Sequence, residues 1–263
     1  SQSGETLDTI SAVMGARDRA GTILGLTNVI GSTLTRVSRT YLCQQSGPEI
    51  GVAATKTYTS QLATLALLAI RLGLKRGKLS KDRGEALLKE LRTMPEKISE
   101  VLEKQEIEIR ELAVKYKDAG CFLFLGRGVS TATAAEGNLK LLEITYIPSI
   151  TYPAGESKHG PISLIYKGFP VVFICPKDET HKSVIGNIME MKARGATIIA
   201  FIEDGDEEVK RIADDYVELP KVSSIFTPVL YAVPLQLFAY YMSIEKGLNP
   251  DQPRSLAKSV TVL

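Results

Sequence analysis

The chain has 263 residues, 44% hydrophobic and 24% charged, with 21 Gly and 12 Pro, enough to bury the core of one large or two smaller α/β domains. Its 32 Lys and Arg against 30 Asp and Glu leave a net charge of +2, too weak a field to hold a polyanion, so nucleic acid is excluded and any bound anion is expected to be small and held locally. The longest apolar stretch, around 62–70, is about half of the ~20 residues that cross a bilayer, so no membrane partner is predicted, and no signal peptide is visible.

The first segment, Ser1-Gln2-Ser3-Gly4-Glu5-Thr6, sets three hydroxyls, an amide and a glycine ahead of a helical stretch. Hydroxyls and free helix N-terminal amides together make a small anion site, each dipole-type contact contributing about 0.3–1 kcal/mol, and a phosphate fits there. Ordinary helix capping by Ser or Thr is the alternative. The chain then repeats itself. Ser3-Gly4-Glu5-Thr6 and, one helix later, Arg19-Ala20-Gly21-Thr22-Ile23-Leu24-Gly25-Leu26 correspond to Lys177-Asp178-Glu179-Thr180 and Arg194-Gly195-Ala196-Thr197-Ile198-Ile199-Ala200-Phe201. Two copies of one α/β unit are implied. The later copy is fed by the strand Val171-Val172-Phe173-Ile174-Cys175, an apolar run suited to a sheet buried on both faces. The earlier copy has no such strand, so the chain is expected to begin partway through its first domain.

Helical periodicity covers 55–74, then 81–92 and 98–116, the last two a charged, amphipathic pair read as a linker. A second domain begins with the strand Cys121-Phe122-Leu123-Phe124-Leu125, the loop Gly126-Arg127-Gly128-Val129-Ser130 and a helix over 131–146. Strand, glycine loop and helix in that order predict an α/β fold, a flavodoxin-like doubly wound parallel sheet in each domain, with ligands at the carboxyl ends of the strands. The loop lacks the full dinucleotide fingerprint, so no nicotinamide cofactor is expected. The expected divisions are 1–79, 80–117, 118–250 and a tail at 251–263.

On the 131–146 helix, Glu136, Lys140 and Glu143 fall at i, i+4 and i+7 on one face. Spacing alone reads as a solvated Glu–Lys ladder. Glu143 is, however, flanked by Leu141, Leu142 and Ile144, and a partly buried carboxylate suits proton abstraction beside a carbonyl, a step worth about 10² to 10⁴ in rate. Next comes Gly155-Glu156-Ser157-Lys158-His159-Gly160-Pro161, where His159 sits between turn formers and in its neutral form could pass a proton to or from a sugar ring oxygen. The tail places Lys258 among small and apolar neighbours. A lysine docked in a less polar pocket loses its proton and attacks a carbonyl, which makes the tail a candidate Schiff-base element, with a frayed terminus as the alternative. Cys43, Cys121 and Cys175 are scattered and odd in number, which suits reduced core thiols. With only His159 and His181 and no Cys-x-x-Cys spacing, little material for a metal site is seen.

Taken together, these segments resemble the sugar-isomerase (SIS) family, and within it the isomerase half of the glucosamine-6-phosphate synthases. The resemblance runs over essentially the whole chain and is carried by Ser1 to Thr6, the Gly-Pro-Glu-Ile-Gly-Val-Ala run at 47–53, Thr55-Lys56, Glu136-Gly137, Leu139-Lys140, Glu143-Ile144, Lys158-His159-Gly160-Pro161, Val233-Pro234-Leu235-Gln236-Leu237 and the tail. It implies two tandem SIS domains that convert fructose 6-phosphate and ammonia to glucosamine 6-phosphate without a cofactor, an early cytoplasmic step of amino-sugar and UDP-N-acetylglucosamine synthesis. Carried over, Ser1, Gln2, Ser3 and Thr6 would hold the phosphate, and Val52 and Ala53 would offer backbone contacts to the sugar. Lys258 would form the imine, Glu143 would move a proton between C1 and C2, and Lys140 would support charge near the reacting carbons. His159 would assist ring opening from the neighbouring subunit of a homodimer. The family's glutaminase domain is expected as a partner in the same natural chain. The sequence departs from the common pattern at Ala54, Asn138 and Leu142. A stand-alone deaminase or sugar-phosphate isomerase is the first alternative, and a non-catalytic sugar-phosphate sensor the second.

Overall fold

A fully buried β-branched and aromatic strand needs apolar cover on both faces, and that requirement shapes the larger part of the chain. The computed structural model describes residues 1–19 and 21–259; Ala20, inside the first copy of the repeat, and 260–263, the end of the proposed tail element, lie outside the described residues. The chain forms two compact units, 1–69 with 251–263, and 70–250.

In the first unit, α1 (Leu7–Ala16), β1 (Leu24–Thr27), α2 (Thr33–Val37) and β2 (Thr40–Cys43) precede α3 (Lys56–Lys75). The strands β1 and β2 are parallel, with Leu24 opposite Thr40 and Thr27 opposite Cys43. Ser1 and Gln2 run beside the end of β1: the Ser1 amino group donates to the Leu26 carbonyl at 3.1 Å and the Asn28 amide donates to the Gln2 carbonyl at 3.0 Å. The turn after Gln2 therefore lies at the carboxyl end of the strands, as its repeat partner does.

The second unit contains α4 (Lys81–Arg92), α5 (Met94–Tyr116), β3 (Phe122–Gly126), α6 (Ser130–Thr145), β4 (Ser149–Pro153), β5 (Pro170–Cys175), α7 (His181–Lys192), β6 (Thr197–Glu203), α8 (Glu207–Lys210), β7 (Asp215–Leu219) and α9 (Thr227–Glu245). Its five strands are all parallel in the order β4-β3-β5-β6-β7. This is the flavodoxin-like order, whose switch point falls between β3 and β5. Period-2 alternation sorts the strand residues: Leu123, Leu125, Val171, Phe173 and Cys175 join Val184, Ile188 and Met191 of α7 in one core. On the other face Phe122 packs edge-on to Phe238 of α9 at 6.0 Å and to Tyr116 of α5 at 6.5 Å. Each such fully buried side chain contributes about 1.5–3 kcal/mol.

The longest apolar helix is this α9, not the 62–70 stretch. By length and composition the segment Ser224–Glu245 could cross a bilayer, but 67% of its apolar window is buried inside the protein. It packs against α5 and α6 and serves as a core helix. Gly137 of α6 allows that packing, since a Cβ there would lie 2.9 Å from Leu235 Cδ1.

Candidate functional site

The Ser1–Thr6 turn is built from its own hydroxyls. Gly4 has a left-handed φ of +69°, and a Cβ there would sit 2.0 Å from Ser32 Oγ, so only glycine fits. Ser1 Oγ lies 2.7 Å from Thr6 Oγ1 and accepts from the Gly4 amide at 3.1 Å. Ser3 Oγ accepts from the Glu5 amide at 3.1 Å and lies 3.0 Å from Ser259 Oγ. Thr6 stands at the N-cap of α1 without a side-chain capping bond, so its hydroxyl does not take up the first-turn amides. Glu5 turns away from the turn: its carboxylate accepts from the Thr33 amide at 2.8 Å, and the bonds to Thr33 hold the carboxyl below its ordinary range. Gln2 joins through its carbonyl, which also accepts from Thr27 Oγ1 at 3.2 Å.

The tail returns to this unit. Lys258 Nζ donates to the Glu49 carboxylate and, at 2.8 Å, to the Gly51 carbonyl. The Lys258 side chain is 27% exposed and that of Glu49 only 5%. The surroundings are thus acidic and polar, which corrects the expectation of a less polar pocket. Burial pushes the Glu49 carboxyl up, but hydrogen bonds from Lys258, from the Thr57 hydroxyl and from the Thr55 and Thr57 amides outweigh it and hold the group below its ordinary value. Val52 and Ala53 are half-buried in the following segment. The Val52 amide is taken by the Asp251 carbonyl at 3.0 Å, so that N–H is not free for a sugar. Turn, 49–53 segment and Lys258 thus lie together in one unit, linked by the Ser3–Ser259 contact.

In the second unit, Lys140 Nζ lies 2.7 Å from Glu143 Oε2 and 3.6 Å from Glu136 Oε1. The Lys140 and Glu136 side chains are 5% and 9% exposed and that of Glu143 21%. This corrects the solvated-ladder reading: the close approach of Leu235 to Gly137 sinks the neighbouring charged positions into the helix packing. Burial pushes the Glu136 carboxyl up to about 7, partly offset by Lys140 and reinforced by Glu143. Half-exposed carboxylate, buried ammonium and buried carboxyl form a row able to hold or move a proton. His159 is separate, exposed at the end of a 3₁₀ turn, Ala154–His159, on a shallow hollow that it lines with Tyr152, Glu156 and Pro161. Sequence reasoning left out Glu49 and gave Glu136 no role. The Gly-Pro-Glu run that carried the resemblance contained Glu49, but nothing in its spacing pointed to Lys258, 209 residues away.

Known proteins resemble this chain in sequence and in fold. The chain is 48% identical over 262 residues to a glutamine–fructose-6-phosphate aminotransferase (isomerizing) of Thermus thermophilus, covering 100% of this chain and 43% of that protein; it therefore spans less than half the length of that relative. A solved structure of the C-terminal domain of glucosamine-fructose-6-phosphate aminotransferase from Francisella tularensis superposes with a TM-score of 0.90 at 34% identity, covering 95% of this chain and 71% of the other. A glucosamine-6-phosphate deaminase of Thermotoga maritima superposes at 0.74 with 24% identity, covering 99% and 73%, a likeness of fold alone. The SIS domain family matches residues 1–71 and 115–246. That match covers both copies of the repeat and most of the chain, leaving out 72–114 between them, so the chain belongs to the SIS domain family.

Proposed function

We propose that the chain is the isomerase half of a glutamine–fructose-6-phosphate aminotransferase, binding fructose 6-phosphate at the Ser1–Thr6 turn and aminating it through Lys258. The observation that carries this reading is the contact of Ser259 with Ser3 of the hydroxyl-lined turn, next in sequence to Lys258, whose ammonium bonds the Gly51 carbonyl in the same unit. A phosphate at the turn would be held by Ser1, Gln2, Ser3 and Thr6 and by the α1 amides, whose dipole favours an anion. The sugar would extend toward Val52, Ala53 and Lys258. His159, supplied by a partner copy in a homodimer, would pass a proton to the ring oxygen as the ring opens.

Lys258 Nζ then adds to the C2 carbonyl, and water leaves as the imine forms. Ammonia replaces the lysine on C2 and frees Nζ. Glu143, with Lys140 beside it, takes a proton from C1 and returns it to C2, while the O1 hydroxyl proton passes to the nitrogen, leaving the C1 aldehyde and C2 amine of glucosamine 6-phosphate. One ammonia is consumed and one water released. Glu49 holds the Lys258 ammonium between turnovers. In the whole protein a glutaminase domain would supply the ammonia, in a cytoplasmic setting that suits the three free thiols.

Lys258→Arg tests this reading. Arginine keeps the charge beside Glu49 but cannot form an imine, so amination with free ammonia should fall by on the order of 10⁴ or more while fructose 6-phosphate affinity stays within about threefold, under 1 kcal/mol. Unchanged turnover would overturn the mechanism, and lost sugar binding would place Lys258 in the phosphate site instead.

A further inference from the structure

Cys175, His181 and Asp206 come together at the carboxyl ends of β5 and β6, one donor from a strand end, one from the first residue of α7 and one from the N-cap of α8. Their ligand atoms, a thiol sulfur, an imidazole nitrogen and a carboxylate oxygen, all lie within 4.8 Å of one another. His181 Nε2 is 2.6 Å from Asp206 Oδ2. The Cys175 side chain is fully buried, Asp206 is 1% exposed and the His181 side chain 14%, which leaves a way in past the imidazole. This corrects the expectation that the chain has little material for a metal site: the fold collects donors that lie 6 and 25 residues apart in sequence.

A second observation points to a missing partner. Tyr231, 1% exposed, carries a buried hydroxyl with no hydrogen-bond partner among the described residues. A buried, unpaired hydroxyl costs about 1–3 kcal/mol and calls for an explanation.

We propose that Cys175, His181 and Asp206 bind one thiophilic divalent ion of the zinc class, with a water in the fourth position. Mixed sulfur, nitrogen and oxygen donors select zinc, cobalt or cadmium over magnesium or calcium, which demand oxygen. Binding exchanges the thiol proton for the metal, and thiolate plus carboxylate then neutralise the two positive charges. The ion would clip β5, α7 and α8 together at a strand end. None of the three donors is a residue proposed to hold or transform the sugar, so the proposal does not depend on the proposed amination.

The test is titration of the reduced full chain, pretreated with chelator, with cobalt(II). One equivalent should develop a thiolate-to-cobalt band in the near ultraviolet that zinc then bleaches, with one proton released per ion. The band should be lost in Cys175→Ser and kept in Cys43→Ser and Cys121→Ser. Because Cys175→Ser alters a packed core, His181→Gln serves as the second variant. Its amide can still bond Asp206, so folding should hold while cobalt affinity falls by about 100-fold or more, beyond the 10 to 100-fold typical of outer-sphere changes. Absence of the band in the wild-type chain, its survival in Cys175→Ser, or unaltered affinity in a folded His181→Gln would each overturn the proposal.

Discussion

The two copies of the repeated α/β unit build the corresponding turn differently. In the first, Ser1, Ser3 and Thr6 line the turn with hydroxyls, and no carboxylate occupies it, Glu5 being bound to Thr33. In the second, Asp178 fills the equivalent place with its own carboxylate, accepting from the Thr180 amide at 2.8 Å and from the Thr180 hydroxyl at 2.7 Å. The corresponding turns thus differ in backbone as well as in side chain: Gly4 takes a left-handed φ of +69°, whereas its counterpart Asp178 is not among the residues of positive φ and folds its carboxylate back onto its own turn. A duplicated fold need not duplicate the chemistry of its turns.

Placing a carboxylate in the first turn should have the largest effect. Ser3→Asp sets a negative charge against the sugar phosphate, and like-charge contact costs several kcal/mol, so fructose 6-phosphate affinity measured by calorimetry should fall by about 100-fold or more. Unchanged affinity would place the phosphate elsewhere. The converse change should leave sugar binding alone: Asp178→Ala removes two hydrogen bonds from the second turn, costs about 1–2 kcal/mol of unfolding free energy, and should not move phosphosugar affinity.

Between these in size stands a pH effect, since the two units also treat their buried carboxylates oppositely. Glu136 is raised from 4.5 to about 7, so between those values the folded chain binds more protons than the unfolded one and stability falls as pH rises. Glu49 is lowered, so its contribution is present above pH 4.5 and is lost as pH falls through its lower folded value. Thermal melts from pH 4.5 to 7 should therefore show a decline in Tm of several degrees that Glu136→Gln abolishes and Glu49→Gln leaves in place.

Much of this was legible in the chain. The strand expected at 121–125 forms one residue later as Phe122–Gly126, and the helices at 81–92 and 131–146 appear within a residue of where periodicity put them, because buried strands and amphipathic helices write their packing into local sequence. The repeat located both turns. What local sequence could not carry was long-range burial. The Glu136–Lys140–Glu143 row reads as solvated until Leu235, about a hundred residues later, packs on Gly137. Lys258 reads as apolar from its neighbours until Glu49 meets it. Cys175, His181 and Asp206 follow no ligand spacing, since strand order rather than sequence distance gathers them.

The central claim is that Lys258 forms a covalent imine with the ketose. Adding borohydride to the chain with fructose 6-phosphate should freeze that adduct as a stable secondary amine, located by peptide mass spectrometry on Lys258 and absent from Lys258→Arg. Recovery of the adduct on another lysine, or its persistence in the arginine variant, would contradict the account.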